Sequence, residues 1–183
     1  GAGKSSVVEA CLYYTKAIDR YGKSADGTTA LNFDPEEGKR GLSIYCHLAP
    51  VEWKNKKINF IDTPGYMDYE GEEVTGLTVG DNALIVVNGK EGIEAGTERA
   101  WKEAARKRKV PTIFFVNKMD QPRNDKEQIL YELKKRLDDK CVDFSVGKDS
   151  EEFYENIALC DEELLEQHLE NNCIDKEEIQ SAI

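Results

Sequence analysis

An apolar strand that ends at a carboxylate is the first stretch of this sequence that suggests chemistry. Residues 58–61 are mostly apolar, and Asp62 is followed by Thr63, Pro64 and Gly65. A carboxylate at the end of a strand, beside a glycine whose N–H is free to face a ligand, suits a site for a phosphate and its metal ion. Because the same turn residues also end ordinary strands, this stretch alone leaves both interpretations open.

The first six residues, Gly1–Ser6, have the sequence G-A-G-K-S-S and supply the second half of a phosphate-binding loop. Successive backbone N–H groups in such a loop bind anions, and the dipole of the following helix adds to the attraction. Lys4 is expected to reach the outer phosphates, and the Ser5 hydroxyl is expected to bind Mg²⁺. Because the first half of the motif and its feeding strand do not precede Gly1, we expect the sequence to be part of a longer polypeptide.

A second apolar run, residues 112–116, ends at Asn117, Lys118 and Asp120. Ligands of open α/β sheets bind at this end of the strands. One carboxylate accepts two hydrogen bonds from N1–H and the 2-amino group of guanine, whereas adenine has no such pair of donors. Asp120 therefore favours GTP over ATP, since an unpaired buried carboxylate is costly. Asn117 and the stem of Lys118 are expected to brace the loop and cover the base.

A long polar stretch, residues 22–41, has no clear periodicity and is predicted to be a loop. Long loops in compact domains are usually functional or disordered. Ser43 follows this stretch, and its hydroxyl is a candidate ligand of the metal when a γ-phosphate is present. The alternative, a serine that only begins a strand, stays open.

The remaining pattern must position these loops. Apolar strands alternate with amphipathic segments, which predicts an α/β fold with a mostly parallel sheet flanked by helices. Strands are predicted up to residue 53 and over residues 58–61, 83–87 and 112–116, and the first two form a hairpin. Helices are predicted over residues 7–20, 68–79, 97–109, 125–137 and 161–169, with a last helix from residue 175. Residues 138–150 show no pattern.

Composition excludes several classes of function. With 183 residues, one domain is expected, and no apolar run approaches the roughly 18 residues of a membrane span. Five scattered cysteines fit reduced thiols in the cytoplasm. The net charge is −11, and residues 121–183 hold 8 Lys and Arg against 18 Asp and Glu, so sequence-specific binding of nucleic acid by this domain is not expected. The acidic part is either a solvated helical surface or a docking surface for a basic protein. His47 and His168 are interpreted as structural or surface residues.

Taken together, these motifs make the sequence resemble the G domain of a translational GTPase of the elongation factor G family, nearest to the elongation factor G-like paralogues. The resemblance covers nearly all 183 residues. It rests on five segments: residues 1–6, D-P-E-E-G-K-R-G-L-S-I at 34–44, D-T-P-G at 62–65, G-T-E-R-A-W at 96–101 and F-V-N-K-M-D at 115–120. It implies a P-loop NTPase fold, incomplete because the first strand and the last guanine-contacting loop are absent. Residues 1–120 then form the core, and residues 121–183 are an acidic helical part where the family carries an inserted subdomain.

The resemblance also implies a role for each motif residue. Asp62 holds Mg²⁺ through water, Ser5 and Ser43 bind it directly, and Gly65 senses the γ-phosphate through its N–H. Lys4, Gly65 and Tyr66 are the candidate catalytic residues. The full set implied to bind the nucleotide is Gly1, Ala2, Gly3, Lys4, Ser5, Ser6, Asp62, Thr63, Pro64, Gly65, Asn117, Lys118 and Asp120. The implied protein is a cytoplasmic, multidomain factor that acts on the ribosome and alternates between GTP and GDP.

Two departures from the family pattern concern its chemistry. Tyr66 stands where the family usually has a histidine that positions the attacking water, and a phenol differs in reach and carries no positive charge. Ser43 stands where the main branch has threonine, but the hydroxyl is kept. The expected function is therefore GTP binding and hydrolysis. The alternative is a GTP-gated ribosome-docking or ribosome-protection factor with little hydrolysis.

Overall fold

The computed structural model describes residues 1–23, 26–120, 125–145, 151–158 and 165–166. The chain divides into two compact units, Gly1–Arg123 and Asn124–Ile183. The first unit contains α1 (Lys4–Tyr14), α2 (Pro35–Arg40), β1 (His47–Trp53), β2 (Lys56–Asp62), a 3-10 turn (Met67–Tyr69), α3 (Glu70–Val79), β3 (Ala83–Asn88), α4 (Ala95–Trp101), a π-helical continuation of α4 (Lys102–Lys107) and β4 (Thr112–Asn117). The second contains α5 (Lys126–Arg136) and α6 (Glu151–Ala158).

Strands β1 and β2 form the predicted antiparallel hairpin. Trp53 pairs with Lys56, so two residues make the turn, and both have positive φ angles (48° at Lys54 and 61° at Asn55). Such turns match the right-handed twist of the flanking strands. The register runs to the pair His47 and Asp62, and it therefore places the carboxylate of the first motif at the open end of the hairpin.

Strands β3 and β4 pair in parallel, as predicted, from Ala83 opposite Thr112 to Asn88 opposite Asn117. Val87 of β3 is fully buried near the end of this pair. Leu84 of β3 and Ile113 and Phe115 of β4 are exposed, so one face of the pair is only partly covered among the described residues. The strand ends bring Asn117 and its loop to the same edge as Asn88. Within the described residues the four strands thus make two sheets of two strands each, one antiparallel and one parallel.

Helix α1 packs on the β1–β2 hairpin through its apolar side. Val8 and Leu12 are buried against Leu31, Ala49 and Val51. Full burial of an aliphatic side chain contributes about 1.5–3 kcal/mol. This contact holds the phosphate-binding residues at the start of α1 near the end of β2.

Helix α1 differs from its predicted bounds of residues 7–20. It begins at Lys4, directly after the glycine-rich segment, and ends at Tyr14. Its end is marked by Thr15, whose hydroxyl donates to the carbonyls of Cys11 and Leu12, and by Lys16 with a φ of 59°. The pattern prediction extended the helix because residues 17–20 include no glycine or proline to stop it.

The prediction of an uninterrupted loop over residues 22–41 was wrong. Helix α2 lies within it, and its limits follow from residues that the sequence displays. Asp34 caps the helix by accepting the N–H of Glu36 at 2.7 Å, Pro35 occupies the first turn, and Gly41 ends it with a φ of 63°. These are ordinary helix start and stop signals. The helix is six residues long, which is too short for a periodic pattern to reveal it.

In the second unit, α5 matches the helix predicted over residues 125–137. Asp125 caps it by accepting the N–H of Gln128, and Ile129, Leu133 and Leu137 are buried. Helix α6, with buried Phe153 and Ile157, was not predicted. Of the helix predicted over residues 161–169, only Leu165 and Glu166 are described, and both are helical. His168 and the helix predicted from residue 175 lie outside the described residues.

Two further observations concern the described part of the chain. Cys11, Cys46 and Cys141 are free thiols there. None of its helices combines the length and the apolar character that crossing a membrane requires.

Candidate functional site

The phosphate-loop segment and the loop after β4 are joined by direct hydrogen bonds. The Asn117 side chain donates through Nδ2 to the carbonyl of Ala2 at 3.0 Å, and Lys118 donates through Nζ to the carbonyl of Gly1 at 2.8 Å. The next residue, Gly3, has a φ of 93°, and a Cβ atom on it would lie 2.6 Å from Asn117 Nδ2. Only glycine fits this position, since it combines a left-handed conformation with close approach of a side chain.

The loop after β4 is also held from within. Asn117 accepts the N–H of Lys118 through Oδ1 at 2.9 Å, and its carbonyl accepts the N–H of Gly89 at 2.7 Å. Lys118 has a φ of 61°, which turns the chain sharply at the end of the strand. Asp120 follows two residues later and is exposed to solvent. The carboxylate chosen from the sequence as the guanine contact is therefore accessible to a ligand.

Three oxygen-bearing side chains from three separate segments meet at the start of α1. The Ser5 hydroxyl donates to Asp62 Oδ2 at 2.5 Å and lies 3.3 Å from the Ser43 hydroxyl. Ser5 lies in the first turn of the helix, Asp62 ends β2, and Ser43 lies between α2 and β1. The structure therefore brings together the three residues selected from the sequence as metal ligands.

Asp62 is buried, with 2% of its surface exposed. Burial raises the pKa of its carboxyl above the ordinary value; the Ser5 hydrogen bond and the charge of Lys4 act against this rise. Its second oxygen, Oδ1, is buried without a hydrogen-bond partner among the described residues. A buried carboxylate oxygen without a donor is costly, which fits a group that binds a cation or an ordered water.

The donor set fits Mg²⁺ in type. Magnesium prefers oxygen ligands and is usually held by one or two side chains together with waters and substrate phosphates. Ser5, Ser43 and Asp62 supply two hydroxyls and one carboxylate, with Asp62 Oδ1 unpaired. Within the described segments, no three His, Cys, Asp or Glu side chains gather into a closed metal site. The residues present thus suit a metal that shares its coordination with a phosphate.

Lys4 and Gly65 approach each other across the same site. A Cβ atom on Gly65 would lie 2.5 Å from Lys4 Nζ, so any larger residue there requires the lysine to move. Pro64 is fully buried, whereas Gly65 is exposed. Tyr66 is 55% exposed and precedes the 3-10 turn, where its carbonyl accepts the N–H of Tyr69. The Tyr66 ring therefore reaches solvent beside the Asp62–Gly65 loop.

Two other motif residues are placed by their neighbours. Ser6 is half-buried in the first turn of α1. The Thr63 methyl group faces Gly76 of α3, where a Cβ atom would lie 2.6 Å from it. The close approach fixes α3 against the loop that follows Asp62.

Sequence reasoning missed three glutamates that organise the loops around the site. Glu9 of α1 is 1% exposed and accepts the N–H groups of Gly22 and Ala30 at 3.0 Å each, which closes the first part of the long loop onto the helix. Glu37 is fully buried, and Glu72 of α3 is half-buried. Glu37 accepts the backbone N–H groups of residues 44 and 45, and Glu72 accepts that of residue 46. Charged residues on short helices normally indicate surface, so no sequence signal marked them.

His47 was interpreted as a structural or surface residue, and it is buried. Its Nε2 lies 3.0 Å from Glu37 Oε2, and its ring lies against that of Phe33, with centroids 5.6 Å apart. The residue therefore belongs to the packing around α2.

Comparison with known proteins gives one family. The model of the elongation factor Tu GTP-binding domain matches residues 1–180. The chain is 40% identical over 158 residues to an elongation factor G-like protein of Thermotoga maritima, covering 86% of this chain and 22% of that protein. It is 36% identical over 158 residues to the tetracycline resistance protein TetM of Enterococcus faecalis, covering 86% of this chain and 24% of that protein. It is 37% identical over 141 residues to a mitochondrial ribosome-releasing factor 2 of Scheffersomyces stipitis, covering 77% of this chain and 17% of that protein.

Among solved structures, a crystal structure of a Thermus thermophilus protein superposes with a TM-score of 0.84 at 28% identity. The match covers all of this chain and 33% of that one. The sequence spans between about a sixth and a quarter of the length of the curated relatives named above. The fold class and the family resemblance predicted from the sequence are confirmed by these matches. The chain belongs to the elongation factor Tu GTP-binding domain family and is related to an elongation factor G-like protein.

Proposed function

We propose that this domain binds GTP and GDP with Mg²⁺ and hydrolyses GTP, as the switch of a cytoplasmic translation factor that acts on the ribosome. The observation that carries the proposal is the convergence of Ser5, Ser43 and Asp62 within hydrogen-bond distance of one another. These residues lie on three segments, of which two flank loops that can respond to a γ-phosphate. We include the ribosome as a partner because one relative is named a ribosome-releasing factor and another an elongation factor G-like protein.

The phosphate subsite is formed by residues 1–6. In this proposal, the N–H groups at the start of α1 bind phosphate oxygens, and the helix dipole favours the negative charge. Lys4 points toward Gly65, which is where the outer phosphate would lie if the Gly65 N–H senses it. Ser5, Ser43 and Asp62 would hold Mg²⁺, which when bound neutralises charge on the phosphates. Thr63 and Pro64 shape the loop that presents Asp62 and Gly65.

The base subsite is formed by the loop after β4. Asn117 and Lys118 tie this loop to the carbonyls of Ala2 and Gly1, so the base and phosphate subsites are held in one framework. Asp120 then accepts the two guanine donors, which adenine cannot match. We infer that ATP is excluded at this residue.

Hydrolysis requires a water aligned with the γ-phosphate. Lys4 and Gly65 would stabilise the charge that develops on the phosphate, and Tyr66 would contact the water. A phenol donates or accepts a hydrogen bond but, unlike histidine, gains no positive charge near neutral pH. Chemistry at Tyr66 is therefore limited to positioning.

The second candidate function is a GTP-gated module that docks on, or protects, the ribosome with little hydrolysis. The specific observation in its favour is that Tyr66 is 55% exposed. A phenol that faces solvent would position water poorly. In this case GTP binding orders the loops, and release depends on nucleotide exchange or on another group.

The deciding experiment measures GTP turnover by the protein at its native length, with and without ribosomes, beside titrations of GTP, GDP and ATP. Strong stimulation by ribosomes supports the hydrolytic switch. Tight GTP binding without stimulated turnover supports the docking module. Equal binding of ATP and GTP contradicts the assignment of Asp120.

A further inference from the structure

Three consecutive backbone N–H groups just after Ser43 donate to carboxylates from two different helices. Ile44 and Tyr45 donate to Glu37 Oε1 at 2.8 and 3.1 Å, and Cys46 donates to Glu72 Oε2 at 2.9 Å. Strand β1 begins at the next residue, so these groups precede its hydrogen-bond ladder. Side-chain carboxylates, rather than a neighbouring strand, accept the hydrogen bonds of these three N–H groups.

The two carboxylates differ in how far they are enclosed, since Glu37 is buried and Glu72 is half-buried. Glu37 Oε2 lies 3.0 Å from His47 Nε2 and makes no hydrogen bond among the described residues. Cys46 strengthens the contact with Glu72, because its thiol donates to the Glu72 carbonyl at 3.0 Å. Burial, followed by the charge of Glu72, raises the pKa of the Cys46 thiol to about 11, so it stays protonated and remains a donor.

Helix α3, which carries Glu72, also contacts the loop after Asp62. At Gly76 an added Cβ would lie 2.6 Å from the Thr63 methyl group and 3.3 Å from Cys46 Sγ. The same helix therefore touches the segment after Ser43 and the segment after Asp62. A shift of α3 is transmitted to both, because packed contacts of this kind do not deform continuously.

We propose that Glu37 and Glu72 are positioning residues that clamp residues 44–46 and thereby set the place of the Ser43 hydroxyl beside Ser5 and Asp62. Through α3, the clamp also couples the segment after Ser43 to the segment after Asp62, which are the two segments that respond to the γ-phosphate. The inference rests on the proposed function, since it concerns how the domain distinguishes GTP from GDP. Neither carboxylate touches the nucleotide in this scheme. Their effect reaches it through the backbone next to Ser43.

The test compares the binding of fluorescent GDP with that of a non-hydrolysable fluorescent GTP analogue, in Mg²⁺ and in EDTA, with the protein at its native length. Glu37→Ala should weaken binding of the GTP analogue about 10-fold in Mg²⁺ and binding of GDP by less than about 2-fold. The 10-fold loss corresponds to the loss of one charge-assisted hydrogen-bond acceptor. Glu37→Gln keeps one oxygen for the Ile44 and Tyr45 N–H groups and should recover most of the loss. Ser43→Ala gives the size of the effect when the hydroxyl itself is absent.

Glu36→Ala is the matched control. Glu36 lies on the same short helix, is half exposed and pairs only with Lys39 and Arg40 among the described side-chain contacts. It should bind both nucleotides like the unchanged protein. A Glu37→Ala variant that loses GDP and the GTP analogue equally, or neither, overturns the clamp.

A second measurement does not depend on Glu37→Ala folding well. Amide hydrogen exchange should show slow exchange at Ile44, Tyr45 and Cys46, and Glu72→Ala should accelerate Cys46 selectively by about 10-fold or more. Unchanged exchange at Cys46 contradicts the clamp even if nucleotides bind. If the unchanged protein binds neither nucleotide, the proposed function fails, and the inference about GTP discrimination fails with it.

Discussion

The Ser5 hydroxyl donates a 2.5 Å hydrogen bond to Asp62 Oδ2, although the two residues are 57 positions apart. The bond joins the start of α1 to the end of β2 and places Ser43 at 3.3 Å from the same hydroxyl. It leaves Asp62 Oδ1 buried and unpaired among the described residues. This arrangement is the basis of the proposed site for Mg²⁺ and a phosphate.

Replacing Ser5 with alanine removes one of the three oxygen-bearing side chains of this cluster. We expect Ser5→Ala to weaken Mg²⁺-dependent binding of GTP by about 10- to 100-fold, the usual effect of losing a group at a metal site. Binding in EDTA should change much less. Titration of fluorescent GTP at several Mg²⁺ concentrations checks this, and Glu52→Ala, at an exposed residue of β1 outside the site, serves as the control. Loss of equal size with and without Mg²⁺ would contradict the role of Ser5 as a ligand.

Asp62→Asn should raise the thermal stability of the metal-free protein while it weakens Mg²⁺-dependent binding of GTP. Burial raises the pKa of Asp62 above its ordinary value of 3.8, so without metal the charged form destabilises the folded protein at neutral pH. This cost is complete above the raised pKa, decreases as the pH falls through it, and is absent below the ordinary value. The variant should therefore melt at a higher Tm in EDTA at pH 7, and the difference should shrink toward pH 4.

The same Asp62→Asn variant should lose about 100-fold in Mg²⁺-dependent GTP affinity, because an amide is a poor replacement for a carboxylate near a cation. Thermal melts over a pH series and nucleotide titrations measure the two effects independently. A lower Tm at pH 7 in EDTA would show that the Ser5 hydrogen bond outweighs the burial of the charge.

Asp120→Asn should change the base that the domain accepts. The amide places a donor where guanine also has donors, so GTP affinity should fall by about 100-fold or more, as for other sites that lose a matched polar contact. Xanthosine triphosphate, which has a carbonyl in place of the 2-amino group, should bind the variant better than GTP does. Competition titrations with both nucleotides check the exchange. Unchanged GTP binding would remove Asp120 from the base subsite.

Two substitutions of Tyr66 distinguish the two candidate functions. If the phenol limits hydrolysis, Tyr66→His should raise ribosome-stimulated turnover about 10-fold or more, within the range of a positioned acid or base. If the phenol already positions the water, Tyr66→Phe should lower turnover while leaving the affinity for GTP unchanged. Single-turnover hydrolysis with saturating ribosomes measures both. No change in either variant would place the determinant of hydrolysis elsewhere.

Glu9→Ala tests the closing of the long loop onto α1. The substitution leaves the N–H groups of Gly22 and Ala30 without their acceptor, and two unsatisfied donors cost about 2–6 kcal/mol of unfolding free energy. Glu9→Gln should lose less, because one oxygen remains. Urea unfolding of both variants provides the measurement, with the exposed residue Glu52 changed to alanine as the control. An effect no larger than that of Glu52→Ala would show that water replaces the carboxylate.

The loops of the candidate site could be located from the sequence alone. Gly3, Asp62 and Asn117 each follow or precede an element whose type is visible from apolar periodicity, and their backbone requirements are local. The hairpin turn at Lys54 and Asn55 and the capping of α5 by Asp125 were likewise within reach, because turn and cap preferences depend on a few adjacent residues.

Which distant groups meet became visible only in the folded chain. The Ser5–Asp62 bond and the burial of Glu9 and Glu37 depend on contacts between residues far apart in the sequence. A buried carboxylate whose partners are backbone N–H groups has the same sequence pattern as a solvated one, since nearly every residue offers such a donor. Helix α2 was missed for a related reason: six residues complete fewer than two turns, so its stability comes from Asp34, Gly41 and the buried Glu37 rather than from a periodic apolar face.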